Sequence, residues 1–232
     1  MDKPIHRATS FLASLMVISI GVVFIVRANM GNSPLTAMPY TSYVIIPELS
    51  FGNWTIIWSI VVILIERILM GEQLGKTQLL MQVIMSFVFG YFVDFADILL
   101  GDMAPTNYAM QIVFLIIGCI IMAFGVCLEL KSDFTMLAAD GLILAIHMRT
   151  KIPFGRVKLI VDIAWCMMSL IVGFVILHDF AGTREGTILA AILVGPIIRC
   201  IQRKNPLAVT SLNGCDDLRI LKHPDSNSSN ER

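Results

Sequence analysis

Long apolar runs alternate with short polar breaks along this chain. Six of the runs, at 10–26, 54–70, 78–100, 110–128, 157–177 and 187–201, approach the roughly 20 residues that a helix needs to cross a bilayer, the last being short. Two others, 35–46 and 134–148, are too short to span comfortably. At about 1.5 Å rise per residue they reach roughly 20 Å against a hydrocarbon core of about 30 Å. Each follows a long run that ends in a polar, helix-breaking stretch. The first break reads Arg27-Ala28-Asn29-Met30-Gly31-Asn32-Ser33-Pro34 and the second Glu129-Leu130-Lys131-Ser132-Asp133. The pattern predicts an all-α polytopic membrane protein with six transmembrane helices plus two short broken or re-entrant helices.

The breaks also repeat. Adding 104 to Gly21, Arg27 and Asn29 gives Gly125, Lys131 and Asp133, so glycine, cation and polar residue recur in one order. Phe51-Gly52 is matched by Phe154-Gly155, Lys76-Thr77 by Gly186-Thr187 in its place after a span, and Gly90 by Gly195. Their shared order argues for two duplicated halves, about 10–101 and 110–204, in one membrane domain of residues 1–204. Residues 205–232 turn abruptly polar and read as a disordered cytoplasmic tail.

Charge sets the expected orientation. Lys3 and Arg7, Arg67 and Lys76, Arg149 to Lys158, and Arg199 to Lys204 fall on one side of a six-span chain, while the loop region with Asp94, Asp97 and Asp102 carries no cation. The positive-inside rule then puts both termini in the cytoplasm and the acidic loop outside. Three crossings per half is an odd number, so the halves would be inverted repeats. Eight crossings would make them parallel and bring the acidic loop inside.

Composition narrows the class. Of 232 residues, 56% are hydrophobic and 15% charged, and the formal net charge is zero, which leaves no basic field for nucleic acid. The first run lacks a small-x-small cleavage site before Arg27, so it reads as a retained helix rather than a signal peptide. Five cysteines without a C-x-x-C pair and four scattered histidines support neither a metal site nor a cofactor. Gly71 to Thr77 looks briefly like a nucleotide-binding loop, but Met70 stands where its first glycine must be. No nucleophile–base arrangement is visible, so an enzyme is not expected.

With these features in view, the chain resembles the YitT/YczE group of bacterial integral membrane proteins over about residues 10–204. The resemblance is carried by Ala28-x-x-Gly31-x-Ser33-Pro34, Phe51-Gly52 and Gly90-x-x-x-Asp94. It implies a bacterial inner-membrane protein, from a group whose activity is largely undefined. The second half departs from the first, with Leu137-Ala138 where Ser33-Pro34 would fall.

Interrupted hydrophobic segments at corresponding places in two halves are the sequence mark of a transporter site. The expected function is a secondary transporter or permease for a small polar or anionic solute, bound at the midplane through Arg27, Asn29, Ser33, Lys131, Asp133 and Asp140. Arg27 and Lys131 would hold an anion or a structural carboxylate, or simply snorkel to the interface. Ser33 and Pro34 suit the cap and first position of a half-helix whose positive end faces inward, though a re-entrant turn could merely close the fold. Asp140, flanked by apolar residues and Gly141, is the expected proton-coupling group; Lys131 is the local partner open to Asp133. Asp162 is expected to pair with Lys158, Asp94 and Asp97 to meet water, and Glu66 and Arg67 to be boundary charges; Glu129 is a weaker candidate. The alternative is a non-transporting regulatory or assembly protein working through a membrane partner. Besides lipid and solute, size alone leaves room for a homodimer.

Overall fold

The computed structural model of the chain describes residues 3–71, 75–101, 103, 105–132, 134–152, 154–178 and 185–204. Asp133 and the tail at 205–232 lie outside the described residues. Among the described residues eight helices follow in order: α1 (Lys3–Arg27), α2 (Pro34–Ile45), α3 (Phe51–Met70), α4 (Lys76–Leu100), α5 (Tyr108–Ser132), α6 (Ala138–Thr150), α7 (Phe154–Leu177) and α8 (Glu185–Lys204). Five of them, α1, α3, α4, α5 and α7, contain stretches long and apolar enough to cross a membrane, as expected of a multi-pass membrane protein. Their outward faces carry exposed Ile68, Ile98, Leu159 and Val175, which suits a surface solvated by lipid. The sixth expected span forms α8, but its apolar stretch, Glu185–Ile198, is shorter than a full span.

The core is built on α1 and α5. Gly21 lies against the backbone of Met122, Gly118 against Ile25, and Gly125 against Ile18. Partner numbers fall as α1 numbers rise, so the two helices run antiparallel. Three glycines let the backbones approach closely, the packing that small residues permit between membrane helices. Phe24 meets Phe114 and Phe11 meets Phe134 along the same seam, with ring centroids 5.6 and 5.8 Å apart. Helix α4 flanks α1, and α8 flanks α5.

Helices α3 and α4 also run antiparallel, pinned at one end by Asp94. Its carboxylate accepts from the backbone N–H of Gly52 and from the hydroxyl of Ser50, both at 2.6 Å, while Ser50 caps α3 by accepting from Asn53 N–H. A Cβ at Gly52 would collide with the Gly90 carbonyl and with Asp94. The Phe51-Gly52 and Gly90-x-x-x-Asp94 motifs are thus one structure: a carboxylate at a helix start, where the dipole favours negative charge. Asp94 is a helix cap here rather than a group spent on water.

The two short helices lie between α3 and α7, and each packs on both. Helix α2 runs back along the first half of α3, with Trp58 Nε1 donating to Ser42 Oγ (2.9 Å) and Trp54 Nε1 to the Ile46 carbonyl (3.2 Å). Helix α6 follows the second half of α3, from Gly141 beside Glu66 to Arg149, which donates to the Leu69 carbonyl at 2.7 Å. Both therefore start near the middle of α3 and run towards opposite ends of the bundle. The pairings α2–α7 and α6–α3 correspond, as do α1–α4 and α5–α8. The close packing of α3 on α4 has no comparable α7–α8 counterpart among the described residues.

Replacing Gly21 by Leu should lower the melting temperature markedly, because a side chain there meets Met122 backbone and overpacking typically costs about 1–3 kcal/mol. Gly75→Ala, where nothing lies within 4 Å of the new Cβ, should leave it nearly unchanged in a thermal-shift measurement on the purified protein.

Candidate functional site

A helix that begins inside a membrane protein exposes backbone N–H groups with no intrahelical acceptor. In hydrocarbon these must face protein or a cavity. Here the first turns of α2 and α6 open onto the same cavity. It is lined by Thr36, Met38 and Pro39 of α2, by Leu137 and Ala138 at the start of α6, and by Thr55, Trp58, Ser59 and Trp165 among the facing residues. About 40 Å³ of it is open to the centres of water molecules, room for a few waters or one small solute. Trp58 and Trp165 meet edge to face in its wall, centroids 5.8 Å apart.

The start of α2 is neutral and rich in hydroxyls. Ser33 stands at the cap position and Pro34 at the first helical position, as the sequence predicts. The Ser33 hydroxyl makes no capping bond to the backbone; it shares a 2.8 Å hydrogen bond with Thr36 Oγ1 instead. Asn32 is buried, its N–H donates to Thr187 Oγ1 at 3.0 Å, and its side-chain Nδ2 has no acceptor. Pro39 has no N–H, so the Leu35 carbonyl loses its usual helical donor beside the cavity.

The start of α6 is acidic. Glu129, buried at the end of α5, accepts from the Leu137 N–H at 3.4 Å and so puts a carboxylate at the positive end of α6. Lys158 Nζ lies 3.6 Å from Asp140 Oδ1 and 4.0 Å from Asp162 Oδ2. On α3, Glu66 is only 2% exposed and lies against Gly141, in contact with Gln82 of α4.

Of the described residues expected from the sequence to bind solute, none is among those that line the cavity. Arg27 does not reach the cavity: its guanidinium pairs with Asp97 at 2.8 Å and ties the ends of α1 and α4 together. That also removes Asp97 from the groups expected to meet only water. Asn29 is exposed and has φ 55°, so it is the left-handed residue that ends α1. Lys131 is exposed in the last turn of α5, where a cation suits the helix dipole. Ser33 is adjacent to the cavity through Thr36. Asp140 is close enough to Lys158 for an ion pair, and Asp162 shares that lysine as expected. Asp133 lies outside the described residues. Glu66 is no boundary charge, since it is buried while neighbouring Arg67 turns to the Gly71 carbonyl.

The groups missed were the tryptophans and hydroxyls of the cavity wall and the Glu66–Gln82 pair. Thr55, Trp58, Ser59 and Val62 recur at spacings of three to four, a stripe on one face of α3 that identifies the wall once it is sought.

The chain belongs to DUF6198, a family of unknown function whose model matches residues 5–203. No curated protein and no solved structure matches it.

If Arg27 is a structural tie, Arg27→Gln and Asp97→Asn should each lower stability, and the double variant should lose no more than the worse single one. A coupling of about 0–1 kcal/mol is expected for a pair whose side chains are 26% and 37% exposed. Thermal unfolding of the four proteins gives this coupling directly.

Proposed function

We propose that the protein is a permease or secondary transporter for a small polar solute, which binds in the cavity between the starts of α2 and α6. The observation that carries this reading is the meeting of two half-length helix starts at one partly polar cavity within the bundle. Helix starts offer unpaired N–H donors and a positive dipole end, which favour a solute that presents oxygen acceptors. Thr36, Thr55 and Ser59 add hydroxyls, and Trp58 and Trp165 add two aromatic walls to restrict size. The acidic groups behind α6 make its end of the cavity better suited to a donor group on the same solute.

The same reading takes the chain as two inverted halves with six crossings. Antiparallel α1 and α5 require an even number of crossings between them, which three full spans in α2, α3 and α4 would not give. A re-entrant α2 satisfies this, and α2 has only 12 residues. Helix starts at Pro34 and Ala138, 104 positions apart, support the duplication. The resemblance to the YitT/YczE group agrees with this architecture and with a bacterial inner membrane, but identifies no solute.

Flux through reconstituted vesicles tests the reading. Glycerol, urea, formate and glycine serve as probes, and at least one should enter faster than into protein-free vesicles. Ser59→Leu, which fills the cavity, should reduce that entry about tenfold or more, the scale on which a misplaced site loses function. Ile68→Leu on the lipid face should not. Entry unaffected by Ser59→Leu would remove the cavity from the path.

A further inference from the structure

Glu66 and Gln82 form an incomplete hydrogen-bonded pair. Gln82 Nε2 donates to Glu66 Oε1 at 3.4 Å, yet Glu66 Oε2 and Gln82 Oε1 are both buried with no partner. Each orphan is an acceptor when the carboxyl is ionised. A carboxylic acid and a primary amide complement one another: the amide N–H donates to the acid carbonyl and the acid O–H to the amide carbonyl. One proton on Oε2 can therefore satisfy both orphans.

No cation takes that proton's place among the described residues. On α3, Arg67 turns to the Gly71 carbonyl. On α6, Arg149 donates to the Leu69 carbonyl and Asp140 faces Lys158 of α7, while Gly141 itself meets Glu66. On α4, Gln82 is the polar group that reaches Glu66. A buried carboxylate without a counter-charge is strongly disfavoured, whereas a protonated one needs only hydrogen bonds.

We propose that Glu66 is a proton-binding site and that its protonation holds α6 seated against α3 and α4. A Cβ on Gly141 would strike both Glu66 and Gln82, so α6 rests directly on the pair. When the proton leaves Oε2 for water, the carboxylate must gain solvent, and α6 must move off it. Seating is thus favoured at low pH and lost as pH rises. Because α6 starts at the cavity, proton release at Glu66 opens one of its walls. The position 103 residues on is Ser169, a neutral residue whose hydroxyl donates to the Ala37 carbonyl of α2 and bonds Thr41 at 2.8 Å. The α2 side is latched by hydroxyls and the α6 side by a proton.

The permease reading supplies the use of the proton but not its location, and the tests need no solute. Infrared difference spectra of the full-length protein in lipid nanodiscs, taken across a pH titration, report protonated carboxyl groups. A carboxylic acid band that titrates in the wild type should be absent from Glu66→Gln and retained in Asp140→Asn and Glu129→Gln. The rate of thiol labelling at Ala145→Cys, a buried α6 position in a background without native cysteines, divided at each pH by the rate at the exposed Ile152→Cys, should rise about tenfold or more with pH, on the scale of one lost buried hydrogen bond. Glu66→Gln should abolish that increase, since its amide remains neutral at every pH. An identical titrating band with and without Glu66, or labelling that keeps its pH dependence in Glu66→Gln, would overturn the proposal. Failure of solute flux alone would overturn only the permease reading.

Discussion

A helix that begins in the interior of a membrane protein must find partners for its first N–H groups, and two helices here begin there. Everything else in the bundle is arranged around that requirement. Helices α2 and α6 are short, and α3 and α7 hold their starts beside one cavity. The protein meets part of that requirement itself: Pro34 has no N–H, Thr36 N–H donates to the Ser33 carbonyl, and Leu137 N–H donates to Glu129.

The scaffold that permits this is set by small residues and by a few polar locks. Gly21, Gly118 and Gly125 bring α1 and α5 together, and Gly52 and Gly90 bring α3 to α4. Asp94 fixes the start of α3, and Arg27 with Asp97 joins the ends of α1 and α4. The two short helices are then held differently. Helix α2 is latched to α7 through Ser169 and Thr41, whereas α6 rests on a buried carboxyl and amide through Gly141. The two short helices are therefore held by unlike chemistry, which suits the proposed reading of one fixed and one movable wall.

Much of the outline was legible in the sequence because hydrophobic length and helix breaks are local properties. The start of α2 at Pro34 followed from Ser33-Pro34, and 104 residues on the α6 start at Ala138 followed the same spacing despite losing both residues. The side chains at the site were harder to read because their roles are set by partners far along the chain. Arg27 was open to an anion or a structural carboxylate, and the carboxylate that meets it, Asp97, comes from α4, seventy positions on. Glu66 looked like a boundary charge because Arg67 follows it, but adjacent helical positions point about 100° apart, so one turned inward and the other to the helix end. Asn29 was selected for its polarity and serves through its backbone.

The proposed topology rests on the antiparallel pairing of α1 with α5, and in it α2 and its counterpart α6 are both re-entrant. The direct test is to compare Met103→Cys with Ile152→Cys, both exposed, each in a background without the five native cysteines. A membrane-impermeant thiol reagent should reach the two from opposite sides of the membrane. Labelling of both from the same side would mean that α6 crosses fully, and the shared cavity between two half-helices would have to be abandoned.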